Sequence, residues 1–296
     1  MRSKIDFYKP LPFFIVLSVV LTATSLFFIT TRGFNWGADF VGGLEVTVTF
    51  AKTTTVSELD AYFNAKGLRI EIQPVFTKPN RFYLRHAVTA AEEAGKVDVS
   101  KRIRDHLLEG FSERQPVFEQ TRMVSGSVSA DNKRQAIWVT LMAVLAIGLY
   151  IAFRFKAIFA LGAVVAVLHD VIVVLGFQSF FRTEFGILTI SALLTVLGYS
   201  VNESVVLFDR VRENIKSGKY TTFRDLITAS INGVFTRTMI MVATTMSVVV
   251  VLFLNSSGSL KDFAQAIMIG MLSGTYSAIY VAAATMLAVN RYKSLL

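Results

Sequence analysis

Long apolar runs separated by short polar breaks make up most of this chain, and one break is far longer than the rest. Leu11 to Thr31 is the first run; Ile137 to Phe153, Ala157 to Phe181, Ile187 to Phe208, Met239 to Leu254 and Phe263 to Val289 follow. At about 1.5 Å of rise per residue, runs of this size cross or nearly cross a hydrocarbon layer of about 30 Å as helices. The pattern predicts a polytopic α-helical membrane protein with six transmembrane helices.

Between Arg32 and about Arg134 no run reaches membrane length, and the period changes. Leu44 to Phe50, Arg69 to Val75, Arg81 to His86 and Val117 to Val124 read as strands. Thr55 to Lys66 gathers Val56, Leu59, Tyr62 and Phe63 on one helical face, and Glu92 to Phe111 carries Val97, Ile103, Leu107 and Leu108 as a second helix. The order β-α-β-β-α-β predicts an inserted ferredoxin-like α+β domain, a fold that by itself says nothing about activity. Three parts follow: 1–31, the N-terminus and first span; 32–134, the inserted domain; and 135–296, the five remaining spans with a short C-terminal tail. The basic connector Asp209 to Arg237 joins the fourth and fifth spans. Phe223, Leu226, Ile227 and Ile231 share one face there, which predicts a helix lying at the membrane interface.

Composition supports the membrane assignment. Of 296 residues 53% are hydrophobic and only 17% charged, against about 25% charged in a typical soluble domain. The net charge of +9 does not form one continuous basic face, which argues against nucleic acid. With no cysteine and three histidines in no ligand spacing, neither a disulfide framework nor a metal site is indicated. The first run is too long for a cleavable signal peptide, and Thr30 to Gly33 form no cleavage site.

Charge placement predicts orientation. Arg2, Lys4, Lys9, Arg154, Lys156, Arg210, Arg212, Lys216, Lys219, Arg224, Arg291 and Lys293 fall on one side. The short loops opposite hold Arg182 and Lys261, each answered by a nearby acid, Glu184 or Asp262. The inserted domain is too long to count. Both termini are therefore expected in the cytoplasm and the domain outside.

Glu203 stands inside the fourth run, beside Asn202 and one turn from Tyr199 and Ser200. A charge there costs about 2.5–3.5 kcal/mol on insertion scales, so an intramembrane carboxylate is a functional candidate by default; the plain alternative is a charge retained for packing. Asp170, after His169 in the third run, lies about 20 Å along its helix. Arg237 stands at the mouth of the fifth run at a depth comparable with Glu203. If those two helices pack, the pair could form and break with protonation; taken alone, Arg237 reads as a snorkelling anchor. His169–Asp170 reads equally as an interhelical packing contact. Gly270, Ser273, Gly274 and Ser277 form a close-packing seam. Gly42 and Gly43 are expected to make a tight turn into the first strand, since no P-loop lysine follows them.

Five stretches carry a resemblance. They are GFNWGADFVGG from Gly33 to Gly43, FRF from Phe153, LHDVIVVLG from Leu168, LGYSVNESVVLFDRVREN from Leu197, and TRTM from Thr236 with two threonines after it. In order and spacing they resemble the SecF family, membrane subunits of the bacterial SecD–SecF accessory complex and relatives of the RND transporters. The resemblance covers nearly the whole chain. It implies a bacterial cytoplasmic (inner) membrane protein that is no enzyme and has no cofactor. It implies a heterodimer with SecD and association with the SecYEG translocon, a YidC-type insertase, a YajC-type small subunit and the preprotein. The implied activity uses the proton motive force, with sodium as the alternative coupling ion, to promote late steps of export. Glu203 takes the position of the family's functional membrane carboxylate and Arg237 that of its functional arginine. Asp39, Asp170, Asp209 and Arg210 match other signature positions. The family's usual residue at 203 is Asp, one methylene shorter, and at 38 an Ile or Leu stands where this chain has Ala38. Rival readings are half of an RND-type lipid or small-molecule exporter, an intramembrane aspartyl protease on Asp170 and Glu203, and a structural scaffold. The exporter would normally carry two six-span halves, and the protease reading lacks a GxGD motif.

Overall fold

The computed structural model describes residues 5–37, 40, 43–68, 70–74, 80–86, 98–124, 126–155, 157–256 and 259–290. Asp39 and Gly42 lie outside them. In chain order the elements are α1 (Leu11–Arg32), β1 (Asn35–Trp36), β2 (Gly43–Phe50), α2 (Val56–Ala65), β3 (Glu71–Pro74) and β4 (Arg81–His86). They continue with α3 (Val99–Phe111), β5 (Pro116–Val124), α4 (Gly126–Arg154), α5 (Ala157–Phe181), β6 (Glu184–Phe185), α6 (Ile187–Lys216), α7 (Phe223–Asn255) and α8 (Ser259–Asn290). Among the described residues α1, α4, α5, α6, α7 and α8 are the six helices long and apolar enough to cross a membrane.

Between α1 and α4 a four-stranded antiparallel sheet runs in the order β3-β4-β2-β5. The alternation of β2 sends Leu44, Val46, Val48 and Phe50 to one face, where they pack with Phe82 and Leu84 of β4. Leu59 and Phe63 of α2 and Ile103 and Leu107 of α3 close that core. Local chemistry fixes where both helices begin. Thr55 and Glu58 form a reciprocal capping box at α2, and the Asp98 side chain accepts from Lys101 N at α3.

In the bundle α5, α6 and α8 form the centre, while α1, α4 and α7 lie outside and keep most of their apolar surface exposed. Small residues let the central helices approach closely: an added Cβ at Gly270 would strike Val196, and one at Gly162 would lie 3.4 Å from the Ala282 carbonyl oxygen. Gly176 of α5 meets Ser25 of α1 in the same way.

Two local expectations need correction. The connector carries no separate interfacial helix: α6 runs on to Lys216, and α7 begins at Phe223 and continues into the fifth span. Phe223, Leu226, Ile227 and Ile231 face inward, onto Phe155, Phe159, Leu207, Phe208 and Val211. An amphipathic face marks burial, and periodicity cannot say whether lipid or protein covers it. Gly43 opens β2 opposite Val124 instead of forming a turn. Among the described residues of this junction the left-handed one is Gly33, with φ of 62°, directly after α1.

Candidate functional site

The helical register of α6 places Ser200, Glu203, Ser204 and Leu207 on its buried side. Glu203 points between two small cavities. One is lined by Leu207, Ile231, Phe235 and Thr238; the other by Tyr199, Ser200, Val242 and Gly274. The residue is 5% exposed, and its Oε1 has no hydrogen-bond partner. α6 and α7 pack together as anticipated. Thr238 lies beside Glu203, and the Arg237 charge acts on it from the same helix. The expected ion pair is not formed among the described residues, because Thr238 takes the inward position on α7 while Arg237, one residue away, is exposed. Asn202 is also exposed, with Nδ2 3.7 Å from Met241 Sδ.

Asp170 is the better-furnished carboxylate. It is fully buried and accepts hydrogen bonds from Ser200 Oγ (2.6 Å), Ser273 Oγ (2.6 Å) and Ser277 Oγ (2.7 Å), with His169 Nδ1 at 3.2 Å. The Gly270–Ser277 seam therefore does two things: it packs α8 closely, and it delivers two hydroxyls to Asp170. The sequence reading missed the serines as ligands. Their spacing, one turn apart on a helix whose glycines allow close approach, was the available signal. Asp209 and Arg210 stand at the far end of α6, where Arg154 is 3.9 Å from Asp209 and Arg210 pairs with Glu213 at 2.6 Å. They are not brought together with Glu203 or Asp170 in any described contact.

A third cluster went unread. Glu184 of β6 was expected to answer Arg182; instead Arg182 donates to the Arg32 carbonyl, and Glu184 pairs with Arg85 of the sheet. Arg85 also pairs with Glu45 at 2.6 Å, and Ser259 Oγ donates to Glu184 at 2.9 Å. Burial alone would lower the Arg85 pKa; the charges of Glu184 and Glu45 outweigh it and raise it, so the guanidinium stays charged. β1 pairs in parallel with β6, Asn35 opposite Glu184, and the Glu184 side chain fills the space beside Gly37. One acid thus ties together the exit of α1, the start of α8 and the sheet. Arg85→Met would leave the buried Glu184 and the half-buried Glu45 without their cation, and a loss of about 3 kcal/mol is expected. Thermal unfolding in detergent reads this, and Glu184→Gln in the same chain should recover part of it.

Comparisons with known proteins place this geometry. The family described as "Protein export membrane protein SecD/SecF, C-terminal" matches residues 105–292, and "SecD/SecF GG Motif" matches 27–54. A protein translocase subunit SecF of Petrotoga mobilis is 33% identical over 94% of this chain and 93% of its own length. One from Rhodothermus marinus is 38% identical over 90% of this chain and 87% of its own. Among solved structures, SecDF of Thermus thermophilus, a translocon-associated membrane protein, is similar with a TM-score of 0.84 at 30% identity. That likeness covers 98% of this chain but only 39% of the SecDF chain. A SecDF structure in a super-membrane-facing form gives a TM-score of 0.73.

Proposed function

The chain belongs to the SecF family of protein translocase subunits, and from that premise we propose that, with a SecD partner, it uses an ion gradient to promote late steps of protein export. It is a multi-pass membrane protein and a transport subunit. The observation that carries the coupling is Glu203: a buried carboxylate with one oxygen unpaired, between two cavities, under the charge of Arg237. An intramembrane carboxylate with an oxygen left unpaired is costly, and such a residue is a functional candidate by default, here for ion exchange. Glu203, Arg237 and Asp170 form the coupling set, with the proton as the ion and sodium as the alternative.

The domain of residues 32–134 is ferredoxin-like in this reading, since its four-stranded sheet follows the β3-β4-β2-β5 order with both helices on one face. It lies outside the bacterial inner membrane, with the termini inside, as the lysine and arginine distribution requires. SecD supplies the neighbour for α6. Ser191, Thr195, Gly198 and Asn202 form an exposed stripe of small residues, and the two hydroxyls are turned back onto their own helix. Such a stripe lets another helix approach closely. SecYEG and the YidC-type and YajC-type proteins follow as further partners from family resemblance alone. The exporter alternative loses ground, since the matched relatives are translocase subunits.

The test is preprotein release from vesicles carrying the chain with its SecD partner. Release should be faster with an imposed proton gradient than with the gradient collapsed; equal rates would remove the coupling reading. Orientation has its own check. Cysteines introduced at Ser57 and Ser112 should label from outside intact cells, and one at Ser217 should be protected. Protection at Ser57 would invert the topology.

A further inference from the structure

The hydrogen bonds of Asp170 are divided evenly between its two oxygens. Oδ1 accepts from Ser273 Oγ and lies 3.2 Å from His169 Nδ1; Oδ2 accepts from Ser200 Oγ and Ser277 Oγ. An ionised carboxylate offers about four acceptor positions; three hydroxyls fill three of them here, and the His169 tautomer with its proton on Nδ1 fills the fourth. A carboxyl protonated at Oδ2 presents an O–H donor there, so Ser200 or Ser277 would have to accept instead. Ser277 is built to do so. Its Oγ lies 2.7 Å from Asp170 Oδ2 and also 3.1 Å from the Gly274 carbonyl oxygen. With its hydrogen turned to that carbonyl, its oxygen is free to accept. Among the described residues Ser200 and Ser273 have no second acceptor.

The geometry points to Asp170 as a second proton-accepting site of the bundle, with Ser277 as the positioning residue that turns its hydroxyl from Asp170 to the Gly274 carbonyl when Oδ2 is protonated. This rests on the ion coupling proposed above, in which Asp170 already takes part, and adds to it the hydrogen-bond switch at Ser277. The step balances simply. One proton arrives from water and forms an O–H bond at Oδ2. The Ser277 O–H bond rotates without breaking, and Asp170 loses one negative charge. The cavity lined by Glu203, Ser200 and Gly274 has room for roughly one water, and Ser200 on its wall is hydrogen-bonded to Asp170.

The mechanical consequence lies on α8. Ionised Asp170 holds α6 through Ser200 and α8 through Ser273 and Ser277, and hydrogen bonds to a charged acceptor are roughly twice as strong as neutral ones. Protonation therefore loosens α8 against α5. The ionisable groups around the site are His169 on its own helix, Tyr199 and Glu203 on α6, and Tyr276 on α8, whose ring centroid is 5.9 Å from that of His169. Of the outer helices packed on α5, α1 carries no ionisable side chain before Arg32, and α4 carries only Tyr150 between Arg134 and Arg154.

Acid-minus-alkaline infrared difference spectra of the protein in lipid vesicles test this. A protonated-carboxyl band should appear and be lost in Asp170→Asn. Ser277→Ala should shift that band to the higher frequency of a carboxyl whose O–H lacks an acceptor. Ser277→Thr should return it, and Ser273→Ala should leave it in place. A spectrum unchanged in Asp170→Asn, or a band unmoved in Ser277→Ala, overturns the proposal. If Asp170→Asn does not fold, the Ser277→Ala and Ser277→Thr pair still decides. Gradient-dependent release in the unaltered protein without an Asp170 band sinks this inference alone. Loss of gradient dependence in the unaltered protein sinks the coupling reading itself.

Discussion

Glu203→Gln should assemble normally with the partner subunit and lose all gradient-dependent stimulation of preprotein release. The amide matches the carboxylate in size, and the cavities on either side of residue 203 leave its shape undisturbed. Oε1 has no hydrogen-bond donor facing it, so no existing bond is broken by the exchange. Stability should therefore change by no more than about 1 kcal/mol. What the amide cannot do is take up or release a proton. Release without a gradient should stay at the level of the unaltered protein, and only the increment from the gradient should vanish. Glu203→Asp keeps an ionisable group and should retain substantial stimulation, although the shorter side chain withdraws the carboxylate from Thr238. Full stimulation in Glu203→Gln would transfer the coupling role to Asp170.

Most of the architecture was legible because the bilayer imposes it. The six helices follow from run length, and the four longer strands follow from alternation, since β2 must send Leu44, Val46, Val48 and Phe50 to one side. Interhelical detail was not legible. Phe223, Leu226, Ile227 and Ile231 form the same stripe whether lipid or Phe208 covers them, so the continuous α7 was read as a surface helix. Glu184 and Arg182 are neighbours in sequence, yet Glu184 reaches Arg85, 99 positions away, because β6 pairs with β1 beneath the sheet. Glu203 stood out because a charge in an apolar run is visible without any partner. The role of Asp170 needed three serines from two other helices, and no single stretch shows that convergence. The long motif around residue 203 carried the family; it could not show that Arg237 stands apart from Glu203.

Arg237→Met should reduce gradient-dependent stimulation nearly as far as Glu203→Gln, although the two side chains form no ion pair in this structure. The Arg237 charge acts on Glu203 across the α6–α7 contact, and its side chain is exposed beside the inward-facing Thr238. If pairing alternates with protonation, the state seen here, with an unpaired Oε1, is one half of the cycle. Two complete losses cannot reveal such coupling, because a double variant has nothing further to lose. The informative pair is partial: Glu203→Asp, which shortens the reach, and Arg237→Lys, which keeps the charge but not the planar fork. Acting as one unit, the two changes combined should depart from the product of their separate effects on stimulation by an interaction energy of about 0.5–3 kcal/mol. A simple product would mean that Arg237 only anchors its helix at the membrane surface. Glu203 would then exchange its ion without a switching partner.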